Sequence, residues 1–106
     1  MKPHFIAELV YQKTENGGRK TAATTGYRPQ VKFEFTENHT SGIQKFIGTE
    51  SVLPGEKVLA EITVHSPHLF EGKLKVGMEF TFYEGLTLIG TGKVSEILCE
   101  DLKASS

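Results

Sequence analysis

Apolar and polar residues alternate with a period of two along most of this chain. In FIAELVY, Phe5, Ala7, Leu9 and Tyr11 share one parity, while Ile6, Glu8 and Val10 take the other. QVKFEFTE sets Val31, Phe33 and Phe35 against Lys32 and Glu34. KVLAEITVH sets Val58, Ala60, Ile62 and Val64 against Lys57, Glu61, Thr63 and His65. MEFTFYEG sets Phe80 and Phe82 against Glu79, Thr81 and Tyr83. Successive side chains of a strand point to opposite faces, so each run predicts a half-buried strand. The turn-forming stretches ENGG, ENHTSG, LPGE, HSPH and YEG separate them, and no segment carries a helical period. Roughly six strands joined by Gly and Pro turns predict an all-β sandwich or a small closed barrel. The last run, LTLIGTGKVSEIL, favours the barrel. Gly90 and Gly92 fall on one face with Leu88 and Val94, and glycine inside a strand marks a tight bend or a close backbone approach.

Length and charge narrow the picture. The chain has 106 residues, near the commonest size for one domain. We expect one domain over 1–106, with its core over about 4–98 and a short polar tail, 99–106. With 12 basic and 13 acidic residues the net charge is -1, so any binding to nucleic acid or anionic lipid requires a local patch. The single cysteine, Cys99, excludes an internal disulfide and a cysteine-based zinc cage. MKPHFIAELV lacks the basic region and apolar run of a signal peptide, and no run reaches the roughly 20 apolar residues of a membrane helix. The expectation is a complete, cytoplasmic small protein with no membrane partner.

Several chemical motifs fail on inspection. GTGK at Gly90–Lys93 resembles the end of a phosphate-binding loop. However, Thr87 stands where the first glycine belongs, Val94 replaces the magnesium-binding hydroxyl, and the motif lies inside a strand pattern. His65 and His68 flank Ser66-Pro67 without a third ligand, which fits a surface turn better than a metal site. Asn38-His39-Thr40 is a glycosylation sequon that has no meaning without secretion. Cys99 reads as a small, buried or half-buried apolar side chain. No nucleophile–base set emerges from spacing, so no enzyme activity, cofactor or metal is expected.

One stretch is left over. ENGGRKTAATTGYRPQ (Glu15 to Gln30) is far longer than the two to six residues of an ordinary strand connection. Its GGRKT and TGYRPQVKFEF, followed by VLPGEKVLAEITVHSP and YEGLTLIGTGKVSEIL, resemble the third domain of elongation factor Tu and its archaeal and eukaryotic equivalents. In that family the corresponding order is GGR-His-Thr, GYRPQ with an aromatic strand, MPGD or MPGN, a His-Pro turn, and REGGRTVGAGVV. The resemblance spans about residues 4–98. It implies a six-stranded antiparallel Greek-key closed barrel, in agreement with the strand count. Pro54-Gly55 suits a type II turn, with Pro presetting φ and Gly taking the positive φ.

The resemblance also implies what is missing. The chain begins on the barrel's first strand with neither GTPase domain nor second barrel, so no nucleotide is expected. In the family, the third domain offers a surface to the T arm of transfer RNA. The matching positions are Arg19, Lys20, Gln30, Thr40 or Ser41, and Glu84-Gly85. Arg and Lys supply charge, Gln and hydroxyls supply hydrogen bonds, and glycine admits a close backbone; this suits recognition of RNA by shape. Three departures stand out. Tyr83, Leu86 and Thr87 replace Arg, Gly and Arg of the family's REGGR. Ala22 and Ala23 replace two aromatic residues that face the GTPase domain. EGKLKVG adds a lengthened hairpin after Phe70. Two functions follow: a non-catalytic module binding transfer RNA or another structured RNA, or a protein-interaction module that mimics the third domain and competes for its partners.

Overall fold

In the computed structural model, which describes residues 2–104, the alternating runs form the staves of one closed antiparallel barrel. Six strands make the wall: β1 (Phe5–Tyr11), β3 (Gln30–Phe33), β4 (Thr40–Phe46), β6 (Lys57–Val64), β7 (Glu79–Glu84) and β8 (Thr87–Ile97). Their order around the wall is β1-β6-β4-β3-β7-β8, and β8 closes on β1. A separate ribbon pairs β2 (Ala23–Thr24) with β5 (Ser51–Val52). The described residues contain no α-helix, only short 3-10 turns. Ser105 and Ser106 of the expected tail lie outside the described residues.

The predicted inward parity holds on β1, β6 and β7: Phe5, Ala7, Leu9 and Tyr11, then Val58, Ala60, Ile62 and Val64, then Phe80 and Phe82 are all buried. Phe33 stacks on Phe80 at 4.7 Å and meets Phe70 edge-on at 5.2 Å, while Phe5 meets Phe80 edge-on at 5.9 Å. Each buried phenylalanine contributes about 1.5–3 kcal/mol by leaving water, and favourable ring pairs add about 0.5–1.5 kcal/mol. The glycines of β8 belong to this cluster. Gly90 pairs with Phe82 and Gly92 with Phe80, and the rings lie over the bare backbone. Close approach of a ring is therefore why Gly92 is glycine, and at Gly90 the Val10 carbonyl oxygen, 2.5 Å from where a Cβ would lie, crowds the position as well.

Four features depart from the alternating pattern. β4 contains part of ENHTSG, which reads as a turn, because its inward positions are Thr40, Gly42 and Gln44 rather than apolar residues. Gly42 is small because Val31 fills its space: a Cβ there would lie 2.9 Å from Val31 Cγ1. β3 stops at Phe33, where Thr36 N donates to Phe33 O across a turn, although Phe35 still packs on the core. Along β8 the register slips opposite Phe82/Tyr83, so Ile89 is an extra residue that turns inward and Leu88 is only half-buried. An extra residue changes the parity of everything beyond it. Ala23 is 1% exposed beneath β5, part of this chain's own core rather than a face left for another domain.

The loops are pinned to the wall. At Leu53–Glu56, Glu56 N donates to Leu53 O at 3.1 Å and Gly55 takes φ 89°, the type II geometry expected. The segment after Phe70 buries Leu74, which forms a parallel bridge to Lys103, and Ala104 N donates to Leu74 O at 2.8 Å. Leu102 is buried in the same place, so the polar tail carries one apolar anchor.

Candidate nucleic-acid interface

The GGRK turn is shaped by its two glycines in different ways. Thr14–Asn16 form a 3-10 turn, which Gly17 ends in the left-handed region at φ 93°. Gly18 has no room for a side chain: a Cβ would sit 2.7 Å from the carbonyl carbon of Gln12 and 2.9 Å from Lys13 O. The chain thus doubles back on itself and delivers Arg19 to the β7–β8 hairpin. There the guanidinium pairs with the Glu84 carboxylate and lies over the Tyr27 ring, 4.8 Å from its centroid. It also donates to Thr21 O at 3.3 Å and Ala22 O at 3.4 Å. The Tyr27 hydroxyl donates to the same Glu84 oxygen. Arg19, Tyr27 and Glu84 form a clamp that ties the long loop to the barrel.

A second tie runs through the interior. Gln44 is fully buried and its Oε1 accepts from the Tyr11 hydroxyl. Its backbone holds the first two residues of the GYRPQ segment: Gln44 N donates to Tyr27 O, and Gly26 N donates to Gln44 O, each at 2.8 Å. Burial pushes the Tyr11 phenol well above its ordinary range, and does the same to Tyr27. Both hydroxyls stay protonated as donors through the neutral range. The clamp is therefore held from inside and outside the wall.

Gln30 opens β3 with Ser41 of β4 on one side and Tyr83 of β7 on the other. Its Oε1 lies 3.3 Å from His39 Nδ1, and the His39 ring stacks on Tyr83 at 5.8 Å, tilted by 11°. Of the two hydroxyl residues Thr40 and Ser41, Thr40 is buried in the barrel, whereas Ser41 is half-buried and paired with Gln30. Next to Tyr83, Glu84 leads into Gly85, which takes φ 58° at the first position of a two-residue hairpin loop that type II′ turns reserve for glycine. Leu86 completes that loop and is wholly exposed. Arg19, Gln30, Ser41, Glu84 and Gly85 thus lie on one continuous band, with Lys20 exposed beside it and without an ion pair among the described residues. Tyr27, His39 and Tyr83 also belong to the band. Tyr27 had a signal in the sequence as the aromatic inside GYRPQ and Tyr83 as a departure from REGGR, whereas nothing in the sequence marked His39 for this face.

The electrostatics of the clamp yield a pH prediction. The Tyr27 hydroxyl holds the Glu84 carboxyl below its ordinary value of 4.5; partial burial opposes this and Arg19 adds to it. A carboxyl depressed in the folded state stabilises the fold above its unfolded pKa, and that contribution fades as pH falls through the folded pKa. Glu84→Gln is therefore expected to melt below the parent at about pH 7, with the gap closing at about pH 3. Equal gaps in thermal melts at both pH values would remove the carboxylate from the clamp. Glu84 is exposed and Arg19 only half-buried, so solvent screens the pair and the effect is modest.

Elsewhere the sequence motifs take ordinary places. Gly90–Lys93 lie within β8. His65 and His68 are exposed around a 3-10 turn, and Cys99 is half-buried against the core. Among the described residues no three His, Cys, Asp or Glu side chains gather as a metal site, and no helix is long and apolar enough to cross a membrane.

The site is thus carried by a closed six-stranded antiparallel barrel whose GGR loop is clamped to its last hairpin. Residues 1–98 match the model of the elongation factor Tu C-terminal domain, and the chain belongs to that family. The domain that defines the family is a non-catalytic barrel, and this chain is accordingly a barrel module related to the translation factors. The 3-10 turn at Glu100–Leu102, which docks on Leu74, lies beyond the matched residues.

Proposed function

We propose that the band from Lys20 through Gln30 and Ser41 to Gly85 binds the backbone of a structured RNA such as transfer RNA. The observation that carries this reading is the gathering itself: residues far apart in sequence share one outward face across β4, β3, β7 and the β7–β8 turn. Lys20 supplies an unpaired charge to a phosphate, Gln30 and Ser41 supply hydrogen bonds to ribose or phosphate oxygens, and Gly85 leaves its backbone open to close contact. Arg19 shares its charge with Glu84, so its principal role is to hold Lys20 in place. Thr40, turned inward, acts on this surface only through the position of Ser41.

Few free cations make such binding weak, in the range of about 10⁻⁴ to 10⁻⁶ M typical of non-specific contacts. With about one phosphate neutralised, by Lys20, affinity for an RNA hairpin is expected to fall about three- to fourfold between roughly 50 and 200 mM salt. Arg19→Ala combined with Lys20→Ala is expected to abolish most of that salt dependence in fluorescence anisotropy. Unchanged binding by the double variant would sink the assignment.

A second reading, a protein-interaction module competing for partners of the elongation factor's third domain, is favoured by a different surface. Leu59 of β6 is 45% exposed, and neighbouring Ile47, whose N–H donates to Leu59 O at 2.9 Å, is also exposed. Recovery of an elongation-factor partner that resists nuclease and fails with Leu59→Glu would favour it over RNA.

A further inference from the structure

A groove of about 300 Å³ lies on the outer wall where β4 passes β6, around the corner from the band. Its apolar floor comes from the half-buried Ile43 and Pro67, while Val64, whose side chain points into the core, borders it. Its polar lining comes from His4, Arg28, Ser41, Thr63 and His65, and contains no carboxylate. Arg28 is exposed and has no ion pair among the described residues. His4 has a settled tautomer: its Nδ1 accepts from Val64 N at 3.0 Å, so in the neutral ring the proton is on Nε2. Burial lowers its pKa, which keeps the ring neutral and a donor at Nε2. The lining thus combines one guanidinium, hydroxyl and imidazole donors, and an aliphatic floor.

We propose that this groove binds a carboxylate carried on an apolar body: a short peptide segment whose aliphatic side chain covers Ile43 and Pro67 while its carboxylate pairs with Arg28. Arg presents a planar fork that matches a carboxylate with two parallel hydrogen bonds. A phosphodiester backbone would use the same charge, but it has nothing to place on the apolar floor. The partner is therefore a peptide with an acidic side chain or a free C-terminus beside an aliphatic residue. This inference stands apart from the RNA reading, with which it shares only Ser41.

The test uses the whole ¹⁵N-labelled chain and amide chemical shifts. The probes are N-acetyl-leucine and its amide, for a C-terminal carboxylate, and acetyl-Leu-Glu-amide and acetyl-Leu-Gln-amide, for an acidic side chain. At least one acid is expected to shift Ser41, Ile43, Thr63 and His65 in a saturable way and to bind about tenfold tighter than its neutral partner, as one charge-assisted bidentate contact provides. Whichever acid does so identifies the source of the carboxylate. Arg28→Gln, an exposed substitution that leaves the wall intact, is expected to erase the difference between acid and amide, and Arg28→Lys to restore part of it. Equal binding of acids and amides, shifts outside the groove, no saturable shift, or groove shifts caused by an RNA hairpin in place of the peptides would each overturn the proposal.

Discussion

Gly92→Ala is expected to destabilise the barrel by about 2–4 kcal/mol, lowering the melting temperature by on the order of 10 °C. The added Cβ would lie 2.6 and 2.7 Å from Cε1 and Cε2 of Phe80. A ring at the end of a flexible side chain can usually move aside, but this one cannot. Phe80 is 3% exposed, stacked on Phe33 and edged by Phe5, so moving it disturbs the whole aromatic cluster. The cause can be isolated with a double-mutant cycle. Phe80→Leu alone loses ring contacts, but in its presence Gly92→Ala should cost much less, giving a coupling energy above about 1 kcal/mol. Gly90 supplies the control. Its Cβ would meet Val10 O at 2.5 Å as well as the Phe82 ring, so Phe82→Leu should not rescue Gly90→Ala to the same degree. Additive melts for the Gly92/Phe80 pair would show that the glycine serves strand curvature instead.

These glycines also indicate how far the fold was legible from residue pattern. Where inward positions are all apolar, as on β1, β6 and β7, period two gives the strand and its buried face directly. β4 is opaque to the same reasoning because Thr40, Gly42 and Gln44 face inward, and what makes them acceptable lies on other strands: Val31 fills the space beside Gly42, and Tyr11 bonds Gln44. Likewise nothing local marks Ile89 as an inserted residue, since a bulge is a relation between two strands. The candidate site was legible as a set of positions, through GGR, GYRPQ and the Glu-Gly turn. Its internal chemistry was not. Arg19 reads as a free cation until Glu84 and Tyr27, both remote in sequence, are brought to it.

Gly18→Ala is the substitution expected to separate the loop from the barrel. The obstruction at Gly18 is backbone, the Gln12 carbonyl carbon at 2.7 Å and Lys13 O at 2.9 Å, so no rotamer change relieves it. The turn must open, and with it the hydrogen bond from Gly18 N to Lys13 O. Opening displaces Arg19 from Glu84 and Tyr27 and carries Lys20 away from the band. A loss of about 1–3 kcal/mol is expected, with amide shifts reaching Tyr27 and Glu84 and a fall in RNA affinity comparable to that of the Arg19/Lys20 double variant. Gly17 provides the contrast. Nothing lies within 4 Å of a Cβ at Gly17, and its only demand is φ 93°. Asn tolerates the left-handed region better than other side chains, so Gly17→Asn should retain most of the stability lost in Gly17→Ala. Gly18→Asn should gain nothing over Gly18→Ala, because its difficulty is space rather than φ. If Asn rescues both positions alike, the Gly-Gly pair is only a flexible turn, and the placement of Arg19 does not depend on it.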